Sequence, residues 1–253
     1  MDSGAGGLSV FKEIRKVLPD EKYIYFSDNA HCPYGEKDPE YIIGRCRAIV
    51  DRMTAEGTQA VVIACNTATA AAISTLRSEY DIPFVGMEPA VKPAALGTRS
   101  GVIGVLATAG TLKASKYLLT RSRFEDDVTI LEHVGCGFVE LVENCELDGP
   151  HAEAVCERSL RPLLDAGADT IVLGCTHYPF LVDAMQKIAP RGIRFIDPAP
   201  AVASHLVDVM RKDGIALSRG NENGSPKRPA VKLMSSGDPA ALEDLFNLIY
   251  PRR

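Results

Sequence analysis

Ala60-Val61-Val62-Ile63-Ala64-Cys65-Asn66-Thr67 and Thr170-Ile171-Val172-Leu173-Gly174-Cys175-Thr176-His177 are two versions of one segment, each reaching its cysteine eight positions after a glycine, Gly57 and Gly167. An apolar, β-branched run without polar alternation is the pattern of a strand buried on both faces, as in a parallel sheet. Each strand then delivers a cysteine at its carboxyl end. Two such halves facing one another place one thiol on either side of a shared cleft.

Helical and strand-like spacing alternates outward from these two segments. Apolar residues at helical spacing (Leu8, Phe11, Ile14, Leu18) predict a helix over 8–18, and 22–26 read as a strand. A helix over 41–55 precedes the Cys65 strand, a helix over 68–80 follows it, and a short strand at 83–87 leads to Glu88-Pro89-Ala90, where the chain crosses over. A second series begins with a strand at 102–106, then a helix near 111–121, a strand at 128–131, helices near 139–145 and 153–166, and the Cys175 strand. A helix over 180–189 and a strand at 194–196 lead to Asp197-Pro198-Ala199-Pro200, a hinge-like breaker. After it come a helix, a loop at 219–229, a strand at 230–234 and a last helix from 238. This alternation predicts an α/β fold of two similar doubly wound, mostly parallel-sheet domains related by pseudo-twofold symmetry, with the active site in the cleft between them. Residues 1–90 plus 200–253 form the expected first domain and 91–199 the second.

Composition narrows the partners. The 253 residues are 46% hydrophobic and 24% charged, the balance of a globular protein. A formal charge of −5 without a long basic block argues against nucleic acid or anionic lipid and leaves a small polar ligand. No apolar stretch approaches the roughly 20 residues needed to cross a bilayer, and Met1-Asp2-Ser3-Gly4 has neither the basic nor the apolar region of a signal peptide. A cytoplasmic location is expected. The seven cysteines lack CxxC pairs, so they read as reduced thiols and not as a disulfide framework or a zinc ribbon. Outside the repeated segments, Cys32, Cys46, Cys136, Cys145 and Cys156 are expected to be small buried hydrophobes.

Ligands of parallel α/β sheets bind at the carboxyl ends of the strands, where helix N-termini stabilise anions. A cysteine there has its thiolate favoured by the following helix. One thiolate can remove a proton from carbon while the opposite thiol donates one to the other face, with no cofactor and no metal. That is the geometry of a racemase, because inversion needs a base and an acid on opposite sides. Ser3, Asn66, Thr67 and Thr176, with the N–H groups of the Gly4 to Gly7 turn, offer donors for carboxylates. Asp2, Glu143 and His177 can tune or relay protons for the thiols. Such a pocket suits an acidic amino acid.

Asp2-Ser3-Gly4-Ala5-Gly6-Gly7-Leu8-Ser9, Pro33-Tyr34-Gly35, Ala64-Cys65-Asn66-Thr67-Ala68, Phe138-Val139-Glu140-Leu141-Val142-Glu143, Gly174-Cys175-Thr176-His177-Tyr178-Pro179 and Ser235-Ser236-Gly237-Asp238 stand in this order along nearly the whole chain. Together they resemble the glutamate racemases of the aspartate/glutamate racemase superfamily. The resemblance implies cofactor-independent interconversion of L- and D-glutamate, supplying D-glutamate for peptidoglycan, in a protein that often forms homodimers. It implies Cys65 and Cys175 as the acid/base pair, Asp2 assisting Cys65, and Glu143 and His177 assisting Cys175. Substrate contacts fall on Asp2, Ser3, Tyr34, Gly35, Asn66, Thr67, Thr176 and His177, with Thr108 and Thr111 at the same rim.

The pattern departs from the family in one place. The glutamate racemases carry a short apolar strand before the Asp-Ser pair, whereas Met1 immediately precedes Asp2 here. The expectation is a first sheet short of one strand and an Asp2 at a frayed terminus. Two alternatives stay open at this point: a related racemase or isomerase acting on aspartate or another diacid, and an inactive form that binds ligand in the same cleft.

Overall fold

The computed structural model describes residues 1–218 and 231–251. The loop expected at 219–229 and the first residue of the strand expected at 230–234 lie outside the described residues. The first half contains α1 (Leu8–Val17), β1 (Tyr23–Ser27), α2 (Pro39–Ala55), β2 (Val61–Val62), α3 (Asn66–Glu79), β3 (Phe84–Val85) and α4 (Val91–Gly97). The second contains β4 (Val102–Ala107), α5 (Ala109–Lys113), α6 (Ser115–Arg121), β5 (Thr129–Val134), α7 (Phe138–Glu143), α8 (Pro150–Asp165), β6 (Thr170–Gly174), α9 (Val182–Ile188) and β7 (Arg194–Ile196). The chain then runs through α10 (Ala199–Lys212), β8 (Val231–Ser235) and α11 (Ala240–Ile249). The fold is the expected two-part α/β architecture, and every strand pairing among the described residues is parallel.

The two repeated segments begin from the same turn. Gly57 and Gly167 follow α2 and α8 with φ of +83° and +89°, a region that favours glycine. In the first copy Thr58 N–H donates to the Met53 carbonyl at 3.2 Å, and in the second Ala168 N–H donates to the Leu163 carbonyl at 3.1 Å. These are the six-to-one bonds of a Schellman helix end. The turn therefore aims both following strands in the same way.

The sheets built on those strands differ. β6 is buried along its length and pairs with β4 and β7 in a four-stranded sheet ordered β5-β4-β6-β7. Burial of Ile171, Val172 and Leu173 contributes about 1.5–3 kcal/mol each relative to exposure. The first half has two separate two-stranded sheets, β1-β8 and β2-β3. Among the described residues, Met1-Asp2 stands between them: Asp2 N–H donates to the Phe26 carbonyl and Asp28 N–H to the Asp2 carbonyl, both at 3.0 Å, while Ala64 N–H donates to the Met1 carbonyl at 2.8 Å. The order β1, Met1-Asp2, β2, β3 thus matches β5-β4-β6-β7.

That arrangement corrects the expected frayed terminus. Asp2 is fully buried and Met1 nearly so, and the Met1 ammonium donates to the Val62 carbonyl at 2.8 Å. Two other expectations give way to local geometry. The helix expected near 111–121 breaks into α5 and α6 at Ala114, whose ψ of 133° is extended. The breaker at Asp197-Pro198-Ala199-Pro200 is the start of α10, where Asp197 accepts the Ala199 N–H at 2.8 Å and prolines are tolerated because those N–H groups have no helical partner. Among the cysteines expected in cores, Cys46 and Cys156 are buried, Cys32 and Cys145 half-buried, and Cys136 is exposed.

Candidate active site

Cys65 leaves β2 in extended conformation and caps α3, its Sγ accepting the Ala68 N–H at 3.4 Å and lying 3.8 Å from Ser3 Oγ. The helix N-terminus was expected to favour its thiolate. Burial and the charge of Asp2 instead push the thiol well above its ordinary range, outweighing the Ala68 and Ser3 hydrogen bonds.

Cys175 follows β6 directly, and its surroundings are of another kind. Its Sγ lies 3.6 Å from His177 Nδ1, whose Nε2 is 2.7 Å from Glu143 Oε1. The same Glu143 oxygen accepts the Ala5 N–H at 2.7 Å. Burial opposes charge on both members of the pair. Hydrogen bonds from His177 and Ala5 nevertheless hold Glu143 below the usual carboxylate range, while Cys175 and Glu143 hold His177 well above the usual imidazole range. The result is a charge-assisted relay beside one thiol only.

The glycine turn, expected to offer N–H donors, also lets Glu143 and His177 approach closely. A Cβ on Gly4 would stand 2.0 Å from Glu143 Oε1, and one on Gly6 would stand 2.4 Å from His177 Nδ1. Asp2 organises the same turn, accepting the Gly4 and Gly7 N–H groups at 3.1 Å each. Its other oxygen accepts the Thr176 hydroxyl at 3.4 Å, and burial raises its pKa. Ser9 Oγ donates to the Thr176 carbonyl at 2.9 Å. The amino-terminal turn is therefore bonded directly to the segment that carries Cys175.

Cys65 and Cys175 line one narrow chamber with a free volume of about 10 Å³, together with Ser3, Tyr34, Gly35, Asn66, Thr67, Thr108, Thr176 and His177. Asp2 and Glu143 stand behind that wall, reaching it through Thr176 and His177. Thr111 is likewise recessed, joined to Thr67 Oγ1 at 3.3 Å and Thr108 Oγ1 at 3.0 Å. Among the described residues, both polar atoms of the buried Asn66 side chain have no hydrogen-bond partner, which leaves them free for a ligand. Among the described residues, a sulfur of Cys32 also comes within 4.8 Å of the Glu143 and His177 donors.

One supporting pair escaped the sequence. Tyr34 donates to Asp28 Oδ2 at 2.5 Å, and Arg45 grips that carboxylate through Nε at 3.0 Å and Nη2 at 2.7 Å. The available signal was Arg45 on the apolar edge of an amphipathic helix, three residues after Ile42. Gly35 is needed beside this anchor because a Cβ would meet Thr108 Cβ at 2.9 Å.

Relatives share this framework. The sequence profile of the Asp/Glu/hydantoin racemase family matches residues 6–206. A glutamate racemase of Pseudomonas paraeruginosa is 50% identical over 250 residues, covering 98% of this chain and 92% of that protein. The crystal structure of glutamate racemase isoform RacE1 from Bacillus anthracis superposes with a TM-score of 0.84 at 30% identity, covering 100% of this chain and 92% of that one. Glutamate racemase from Escherichia coli superposes with a TM-score of 0.84 at 35% identity, covering 98% and 92%. With two thiols on one chamber and these relationships, the chain belongs to the Asp/Glu/hydantoin racemase family and is an isomerase.

Proposed function

We propose that the protein interconverts L- and D-glutamate by a two-cysteine acid/base mechanism, without a cofactor. The observation that carries this reading is the shared chamber: two repeated segments bring Cys65 and Cys175 to one small space whose wall holds an Asn66 without a partner among the described residues. One thiolate takes the Cα proton, the electron pair of the broken C–H bond passes into the substrate carboxylate, and the opposite thiol returns a proton to the other face. Cys65, pushed towards its protonated form, is the resting acid. His177, held as imidazolium by Glu143, stands against the sulfur of Cys175 and stabilises the thiolate form that accepts the Cα proton. Asp2 positions the turn and Thr176, while Ser3, Tyr34, Gly35, Asn66, Thr67, Thr176 and His177 contact substrate.

Related structures support both directions. The Escherichia coli relative holds L-glutamate and the activator UDP-MurNAc-Ala, and the Francisella tularensis relative, 25% identical with a TM-score of 0.80, holds D-glutamate. The product D-glutamate would serve peptidoglycan synthesis. Seven free thiols favour a reducing compartment, hence the cytoplasm. Residues 1–90 with 200–253 are the proposed first domain and 91–199 the second, a division supported by the pairing of β8 with β1, and the resemblance supports a homodimer.

Incubation with L-glutamate in deuterated water tests the reading. Deuterium entering Cα with loss of optical rotation is the expected result. Substrate binding without exchange would sink it in favour of a non-catalytic role, and faster exchange into aspartate would reassign the substrate.

A further inference from the structure

Ser235-Ser236-Gly237-Asp238, the last of the sequence signatures, stands apart from the residues that line the chamber. Its hydrogen bonds show where it acts, because they converge on the short stretch from Ser27 to Ala30. Ser236 N–H donates to the Ser27 carbonyl at 3.0 Å, and Ala30 N–H donates to Ser236 Oγ at 3.2 Å. Asn29 takes the rest: its Oδ1 accepts the Ser235 hydroxyl at 2.6 Å and the Gly237 N–H at 2.9 Å, and its Nδ2 donates to the Asp238 carbonyl. Gly237 keeps this approach open, since a Cβ there would meet both Ala30 Cβ and Asn29 Oδ1 at 3.1 Å.

The stretch held in this way is the root of one lip of the chamber. Asn29–His31 and Tyr34–Glu36 are single 3-10 turns between β1 and α2, and the second of them supplies Tyr34 and Gly35 to the wall. Asp28, next to Asn29 in the chain, receives the Tyr34 hydroxyl and the Arg45 guanidinium, so the seat of Asn29 sets the place of the carboxylate that holds Tyr34. The tip of the lip lies on the other half of the molecule. A Cβ on Gly35 would meet Thr108 Cβ at 2.9 Å, and one on Gly110, in α5, would stand 2.9 Å from the Gly35 carbonyl oxygen.

We propose that Asn29 is a positioning residue for the reaction: seated on the 235–238 turn, it fixes the root of the Asp28–Tyr34 lip so that the tip returns to α5 over bound substrate. The proposal rests on the racemase reading above. A lip without its seat spends more time off α5, and apparent affinity falls by the fraction of molecules whose lip is in place. Asn29 touches neither thiol, so chemistry in a filled and covered chamber is unchanged.

The test is racemisation kinetics in both directions, with glutamate affinity measured separately by calorimetry. Asn29→Ala should raise KM about tenfold for both enantiomers while kcat stays within about twofold, the effect of removing a half-exposed anchor that lowers the competent fraction about tenfold. Ser235→Ala should raise KM about threefold, and Ser235→Thr, which keeps the hydroxyl, should restore it. Because Ser235 acts through Asn29, the double variant Asn29→Ala/Ser235→Ala should be no worse than Asn29→Ala alone, whereas Ser236→Ala, which loses the bond to Ala30, should add its own loss. An unchanged KM in Asn29→Ala overturns the proposal. So does a fall in kcat at constant KM, the mark of a partly unfolded population, and so do multiplying losses for the 29/235 pair. Glutamate binding without turnover by the unaltered protein would sink the racemase reading instead, and the calorimetric affinities of the same variants would then decide the role of Asn29.

Discussion

The strand before Cys175, β6, has five residues and partners on both sides, whereas the strand before Cys65, β2, has two residues and, among the described residues, a strand partner in β3 alone. Both thiols still reach one chamber. What the two halves share is the helix end at Gly57 and Gly167 and the helix or turn that follows each cysteine. Delivery of the thiol is therefore set by these ends more than by the extent of the sheet. The halves also differ in charge: Cys175 faces a His177–Glu143 relay, and Cys65 faces Ser3 and the field of Asp2. One duplicated scaffold surrounds its two thiols with unlike groups.

The equivalence of the two thiols is broken most severely by removing either. Cys65→Ser and Cys175→Ser should each lower kcat for both enantiomers by about 10³-fold, since each turnover uses both groups. Near-normal turnover by either variant in a polarimetric assay would refute the scheme. The asymmetry sharpens at the next level: His177→Asn should cost on the order of 10² in kcat, and Ser3→Ala only about tenfold, one hydrogen bond. Equal losses would mean that the relay gives Cys175 no special assistance.

Stability separates the sheets. Where β4 has the uncharged Leu106, the first half has the Met1 ammonium, with a pKa lowered from 8.0 to about 6. Between those values the unfolded chain binds the extra proton, so this group makes stability rise with pH from 6 to 8, by up to about 2–3 kcal/mol. His177, held high in the folded state, acts oppositely in the same range. The Met1 contribution is therefore read as the difference between free and N-terminally acetylated protein in urea titrations at each pH; a pH-independent difference would show the amine to be hydrated. The smallest effect is the most symmetrical: Gly57→Ala and Gly167→Ala should each cost about 1 kcal/mol, because both place a Cβ in the left-handed region. Markedly different losses would end the equivalence of the two helix ends.

Periodicity and duplication made the α/β fold, the two thiols and most of the chamber wall legible in the sequence. Asn66, Thr67, Thr176 and His177 follow their cysteines directly, so finding the thiols found them too. Contacts between distant segments were hidden. Nothing local announces that Asp28 receives Tyr34 and Arg45, or that Gly4 and Gly6 are small because Glu143 and His177 press on them. Proline misled where position mattered: Pro198 and Pro200 read as a break but open α10. The position of Cys65 at a helix start misled for a different reason, since desolvation outweighed the dipole.

A chamber of about 10 Å³ has room for roughly one water molecule and none for an amino acid. Each catalytic cycle must then include an excursion in which the walls part, admit the reactant and later let it leave. A turnover limited by that parting would fall as solvent viscosity rises, whatever the reactivity of the thiols.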